Sequence, residues 1–244
     1  MRPAMAAPRQ RRIFAIVDRL DPEEVVRVLD PYLTERRKAR IESMIAGRLA
    51  SVRVAIEAPS DPHNAAAVVR TAEALGVGAV HLVAAEGRAL EARKTTQGAH
   101  HWVEIHDHDD LDGFLAACRR AGVRPYGADM AATRTLADLP VDAPLCIVVG
   151  NESRGLSDRA RAAMETFSIP MVGLSQSLNL SVSAAIALYD VTRRRRATLG
   201  RDGDLSAGER ARLRAYAYAR SVDPRMLEGL FGREDARAPA RPTE

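Results

Sequence analysis

Aromatic residues make up only 4% of this 244-residue chain, with a single tryptophan, and cysteine occurs just twice. So few π-faces argue against an aromatic platform for base stacking as the mode of any nucleic-acid contact. Cys118 and Cys146 show no metal-ligand spacing and no disulfide framework, which leaves buried free thiols in a reducing cytoplasm as the expectation. Long hydrophobic runs are missing as well. The longest apolar segments, such as Leu145 to Val149, are strand-sized, so neither a membrane span nor a membrane partner is expected. The start, MRPAMAAPRQRRIFAIV, carries arginines but only a short apolar stretch before Asp18, which argues against a secretory signal.

What the chain does have is a hydrophobic fraction of 46%, ample for one sizeable domain with appendages. Residues 1–12 read as disordered, 13–50 as helical with a break near Pro31, and Ser206 to Ser221 as a further helix before a disordered tail, GREDARAPARPTE. Between them, strand-like runs at Val52–Ile56, Ala79–Val83, Val103–Ile105, Val123–Gly127, Leu145–Val149 and Phe167–Pro170 alternate with helix-like runs at Asn64–Leu75, Leu111–Ala121, Ser157–Met164 and Val182–Arg195. That rhythm, with near-continuous apolar strands such as LCIVV, predicts an α/β fold: a mainly parallel sheet covered by helices on both faces. Ligands then gather at the C-terminal ends of the strands.

Charge is modest overall, +4, but it is clustered. Arg36, Arg37, Lys38, Arg40 and Arg48 are assigned to one predicted N-terminal helix, and Arg193 to Arg196 form an unbroken run. A solvated helix face, or cations complementing a helix C-terminus, accounts for either cluster alone. Together they fit a polyanion such as RNA.

Three loops that follow strands carry the chemistry. In the first, PSDPHNAAAVVRTAEALGVG, Asn64 is placed to cap a helix, and Arg70 lies among Ala67, Val68, Val69, Ala72 and Ala74, a setting where a charge needs a partner or an anionic ligand. The second, GNESRG, sets two glycines and the Glu152 carboxylate at the mouth of the strand LCIVV, yet it is neither a P-loop nor G-x-G-x-x-G. The third runs through IPMVGLSQSLNLSVSAA, where Ser175, Gln176, Ser177 and Asn179 precede an apolar helical run. A cap needs one such residue; four suggest a loop built to hold something. The HDHDD run from His106 to Asp110 admits a metal reading, but it abuts a helix start and is assigned to loop and cap, with no metal site expected.

N-x(5)-RT at Asn64 to Thr71, GNE-x-x-G at Gly150 to Gly155 and IPM-x-G-x-x-x-SLN-x-S at Ile169 to Ser181, present in that order, resemble the three motifs of the SpoU family of RNA ribose 2′-O-methyltransferases, the class IV or SPOUT enzymes. The basic terminal helices and the QGAHHW segment look most like the TrmH branch, which methylates guanosine 18 in the tRNA D-loop. The resemblance implies a C-terminal trefoil knot, a homodimer, and domain limits of 1–50 for a basic helical extension, 51–200 for the catalytic domain and 201–244 for a C-terminal extension and tail. It implies S-adenosylmethionine as methyl donor, held by Ala128, Gly150, Ile169 and Leu178. Arg70 is the residue implied to activate the ribose hydroxyl, with Asn64, Glu152, Ser177 and Asn179 positioning it or the substrate. Arg40, Arg48, His63, Arg119, Arg193 and Arg195 are the residues expected to touch tRNA. Ribosomal RNA or another tRNA nucleotide stays open as the target, as does a catalytically idle RNA-binding or assembly protein; the intact set of Arg70, Glu152 and Asn179 argues against the last.

Overall fold

The computed structural model describes residues 17–84, 96 and 98–231. Residues 1–12, the tail from Gly232 and Gln97 of QGAHHW lie outside the described residues. In chain order the elements are α1 (Pro22–Leu29), α2 (Glu35–Ala46), β1 (Leu49–Glu57), α3 (Pro62–Ala74), β2 (Val77–Val83), β3 (Glu104–His108), α4 (Leu111–Arg120), β4 (Arg124–Ala128), β5 (Leu145–Val149), α5 (Asp158–Ala163), β6 (Glu165–Phe167), α6 (Leu180–Leu199), α7 (Ala207–Ser221) and α8 (Pro224–Phe231). One compact unit spans Ala46–Asp204; the described residues of Ala6–Ile45 and Leu205–Glu244 form a second.

The larger unit is built on a six-stranded parallel sheet in the order β3-β2-β1-β5-β4-β6. Strand alternation sorts its side chains. Val52, Val54 and Ile56 of β1 with Ile147 of β5 meet Ala65, Val68, Val69 and Ala72 of α3 and Ala184, Leu188 and Val191 of α6 on one face. Ala55, Cys146 and Val148 meet Phe114 and Cys118 of α4 and Ala160 of α5 on the other. Both faces are therefore covered, which is why LCIVV is apolar at every position and buried throughout. Cys118 and Cys146 are free and buried, and burial pushes the Cys118 thiol up to about 11, so it is inert as a nucleophile at neutral pH.

The final strand departs from the expected range. It is Glu165–Phe167, not Phe167–Pro170, and residues 169–179 form no regular element before α6. Pro170 supplies no N–H for a ladder, consistent with pairing that stops short of it. The HDHDD run also departs from a pure loop reading: His106, Asp107 and His108 belong to β3, and only Asp110 caps α4, accepting a hydrogen bond from the Gly113 N–H at 2.8 Å.

That strand assignment places three imidazoles on one face. His81 of β2 pairs in register with His106, and its Nδ1 lies 2.9 Å from Nε2 of buried His108, under the Phe114 ring of α4. Burial, reinforced by His106, His108 and Arg53, drives the His81 imidazole down to about 2, and burial lowers His108 too, against the nearby carboxylates of Asp109 and Asp110 and together with Arg120. The unfolded chain takes up protons below the ordinary value of 6.5 that the native His81 refuses, so stability falls as pH drops from about 6.5 towards 2. Each excluded proton steepens the fall by about 1.4 kcal/mol per pH unit. Urea unfolding at neutral and mildly acidic pH should show this slope, and His81→Gln should flatten it; an equal slope in both proteins refutes the assignment.

The second unit is helical. Asp21 caps α1 through the Glu23 N–H, and Ser206 and Glu209 form a reciprocal capping box on α7. Ion pairs join its parts: Arg214 grips both oxygens of Glu42 at 2.6 Å, and Arg212 binds Asp18 at 2.8 Å.

Candidate active site

The chain leaves β1 for α3 on one face of the sheet and leaves β5 for α5 on the other, so the adjacent ends of β1 and β5 mark the point where connections diverge. Crevices in parallel sheets open at such points. The first and second sequence motifs begin there. Glu57, buried at the end of β1, accepts from the Ser157 N–H at 2.9 Å and its hydroxyl at 2.5 Å, fixing the start of α5 and with it the GNESRG loop. Asn151 turns back across the gap, donating from Nδ2 to the Ala58 carbonyl at 2.8 Å, while its Oδ1 accepts from the N–H groups of Ser153 and Arg154. Gly150 has no alternative: a Cβ there would sit 2.1 Å from the Gly155 carbonyl carbon and 2.2 Å from the Leu156 nitrogen, both backbone atoms that cannot step aside.

One hydrogen-bond network joins all three motifs. Glu152 Oε2 accepts from the Ser60 hydroxyl at 2.6 Å and the Ser60 N–H at 3.1 Å; Oε1 accepts from the Asp61 N–H at 3.3 Å and Asn64 Nδ2 at 3.4 Å. Asn64 Oδ1 in turn accepts from Asn179 Nδ2 at 3.1 Å, and Asn179 Oδ1 accepts from the Ser181 N–H and hydroxyl at 2.8 and 2.6 Å. Burial raises the Glu152 carboxyl, but the hydrogen bonds from Ser60 and the surrounding backbone N–H groups outweigh it and hold the group below its ordinary value. It is an ionised anchor with its lone pairs engaged, and a weak base at neutral pH.

Asn179 is the N-cap of α6, as its position before the apolar run suggested. Asn64 is not a cap. Asp61 takes that role on α3, accepting from the His63 N–H at 2.8 Å with Pro62 at the first helical position, and Asn64 in the first turn is freed to bridge Glu152 and Asn179. Ser175, Gln176 and Ser177 are exposed, and among the described residues no hydrogen bond ties Ser177 to the network. Arg70 is also exposed, although its neighbours Val68, Val69 and Ala72 are buried, so its surroundings do not hold it in an apolar setting. No hydrogen bond or ion pair engages its guanidinium among the described residues, which leaves the cation available to an anionic ligand. Ser60 and Asp61 stand outside the sequence motifs, and Ser181 enters only as the last position of the third; the Asp-Pro pair before a helical run is the available signal for Asp61.

Ala128, Gly150 and Ile169 lie at or just beyond the C-terminal ends of β4, β5 and β6, with Ala128 and Ile169 partly buried against the core and Leu178 half-buried beside exposed Ser177 and Asn179. Three neighbouring strands thus bring apolar side chains and loop backbone to one edge.

Residues 51–189 match the SpoU rRNA Methylase family. The chain belongs to that family. The SpoU relatives include the tRNA (guanosine(18)-2′-O)-methyltransferases of Thermus thermophilus, 33% identical over 66% of this chain and 84% of that protein, and of Escherichia coli K12, 33% identical over 65% and 70%. Among solved structures, the A. aeolicus TrmH/SpoU tRNA modifying enzyme matches with a TM-score of 0.67 at 29% identity, covering 78% of this chain and 98% of that one. An AdoMet-bound rRNA methyltransferase from Sinorhizobium meliloti matches at 0.54 and 28% identity, over 59% of this chain and 56% of that one. This SpoU protein is accordingly an RNA methyltransferase.

The basic residues divide sharply, and two expectations fail. Arg48 is not on the N-terminal helix, which ends at Ala46; it is 3% exposed and donates to the carbonyls of Val77 and Trp102 at 2.9 Å. Arg195 is 6% exposed, bound to Ser51 Oγ and the Val141 carbonyl with Asp204 4.0 Å away. Neither reaches an external polyanion. Arg194 and Arg196 likewise donate to carbonyls, of Leu136 and Leu139 and of Gly47 and Leu75. Arg40, Arg119, Arg193 and His63 are exposed, and among the described residues the Arg193 side chain makes one polar contact, with Asp190 at 3.4 Å.

Proposed function

We propose that the protein transfers a methyl group from S-adenosylmethionine to the ribose 2′-oxygen of guanosine 18 in the tRNA D-loop. The observation that carries this reading is the Glu152–Asn64–Asn179 network, which brings the three motifs to one edge of the sheet. The tRNA specificity is supported by the names of the Thermus and Escherichia relatives.

Ala128, Gly150, Ile169 and Leu178 would hold S-adenosylmethionine. An edge of partly buried apolar side chains and loop backbone suits an adenosine that is recognised by amides in an apolar slot. When bound, the cofactor supplies a methyl group on a sulfonium leaving group. The chain's task is then alignment and charge stabilisation, with the hydroxyl proton passing to solvent water at this exposed edge as the methyl–oxygen bond forms and the methyl–sulfur bond breaks. Arginine is a cation rather than a base, so the Arg70 guanidinium stabilises the developing negative charge on the ribose oxygen or grips an adjacent phosphate. Asn64 and Asn179 position the substrate from a frame anchored by Glu152, with Ser177 exposed beside them. His63, Arg40, Arg119 and Arg193 supply phosphate contacts.

The reading carries with it the family's C-terminal trefoil knot. It also carries a homodimer. Val182, Ile186 and Tyr189 are 45, 39 and 63% exposed at helical spacing on α6, an apolar stripe suited to a second copy. Its setting is the cytoplasm, which suits its two free buried thiols.

Radiolabelled methyl transfer to tRNA, with ribosomal RNA and RNA-free controls, tests the proposal. Label on the 2′-oxygen of guanosine 18 is expected. Label only in ribosomal RNA, at another tRNA nucleotide, or in no RNA overturns it.

A further inference from the structure

We propose that Ser60, which lies outside the three motifs, is a positioning residue: its hydroxyl and N–H set the Glu152 carboxylate and, through it, the Asn64 and Asn179 amides. The inference rests on the reading of this edge as the methyl-transfer site.

The direction of every bond in the network follows from its ends. Asn151 Nδ2, a donor only, lies 3.3 Å from Ser60 Oγ, so that oxygen accepts from Asn151 and turns its own proton onto Glu152. The carboxylate can only accept, so Asn64 must present Nδ2 to it and Oδ1 to Asn179. Asn179 must then present Nδ2, and its Oδ1 takes the Ser181 N–H. A flip of either amide would set like groups against each other. Among the described residues Ser60 makes the shortest bond to the carboxylate and holds Oε2 with both hydroxyl and N–H, while Asn151 Nδ2 reaches Oε2 at only 3.4 Å and the Oε1 contacts are 3.3 and 3.4 Å.

Removing the hydroxyl leaves Glu152 with the longer bonds and free to rotate away from Asn64. Ser60 is exposed, and the cap of α6 by Asn179 and of α3 by Asp61 are independent of it, so folding is spared. The loss falls on alignment.

Ser60→Ala and Ser60→Thr test this in the full-length protein. In Ser60→Ala, kcat for methyl transfer should fall about tenfold, the effect of one lost hydrogen bond to a charged group, with KM for RNA and melting temperature little changed. Ser60→Thr, which keeps the hydroxyl, should restore the rate. A carbon-13 NMR titration of the Glu152 carboxyl, assigned with Glu152→Gln, should show it titrating at higher pH in Ser60→Ala than in the parent. This last readout needs no catalysis. A parent that methylates no RNA removes the methyltransferase reading, whereas an unchanged Glu152 titration, or a Ser60→Ala kcat equal to that of an active parent, overturns the role of Ser60.

Discussion

Arg70→Ala should lower single-turnover methyl transfer at least ~10²–10³-fold, the range seen when a preorganised donor to a developing oxyanion is removed. The side chain is exposed on α3 and engages no other described residue, so its loss leaves no buried group unsatisfied. Thermal stability should therefore stay within about 0.5 kcal/mol of the parent, as for an ordinary surface substitution. Arg70→Lys separates two roles. A lysine keeps the charge but loses the planar fork, so partial activity indicates charge stabilisation, and full loss indicates bidentate recognition of a phosphate or oxyanion. Rapid-quench methyl transfer together with a melting curve decides the matter. Near-normal transfer by a folded Arg70→Ala protein refutes the catalytic role.

The second large effect concerns stability and contrasts two neighbouring arginines. Arg195→Ala removes a cation bound to Ser51 and the Val141 carbonyl and leaves Asp204, whose side chain is 8% exposed, without the cation 4.0 Å from it and with the Ser51 N–H at 3.3 Å as its remaining donor. Breaking a buried charged arrangement from one side costs about 3–5 kcal/mol, enough to unfold a protein of ordinary stability. Arg193→Ala should cost no more than about 0.5 kcal/mol, because its side chain is 62% exposed. Its effect should appear in RNA affinity instead, weakening binding and reducing the magnitude of the salt slope by about 1. Denaturant unfolding and filter binding across a salt series measure the pair. Equal destabilisation by both substitutions refutes the division between internal and external arginines.

The β/α rhythm was legible where a strand is a continuous apolar run, as in β5, and where a helix carries its own start signal, as in α6; polar β3, EIHDH, carried no such mark. Leu145–Val149 coincides with β5, and Asn179 caps α6 where polar residues give way to apolar ones. The irregular strand end after Phe167 was not legible, because apolar Ile169 beside Pro170 looks the same in sequence whether or not a neighbour pairs with it. The site was read in pieces for a similar reason. Asn64, Glu152 and Asn179 can be marked one at a time by motif, but the sequence separations of their bonds, 88 and 115 residues, lie far beyond any local pattern. Asn64 was assigned to a cap because its contacts across the sheet are not written in its neighbours.

Residue order by itself determined the alternating architecture, the three motif loops and the family they resemble, since those depend on short-range spacing and apolar periodicity. It also determined that four arginines stand together at 193–196, but not where they point. A helix turns about 100° per residue, so four consecutive side chains sweep most of its circumference. Packing α6 against the sheet therefore turned Arg194, Arg195 and Arg196 onto internal acceptors and left Arg193 outside. Which cations serve the fold and which can meet RNA was decided only when the helix acquired a buried side.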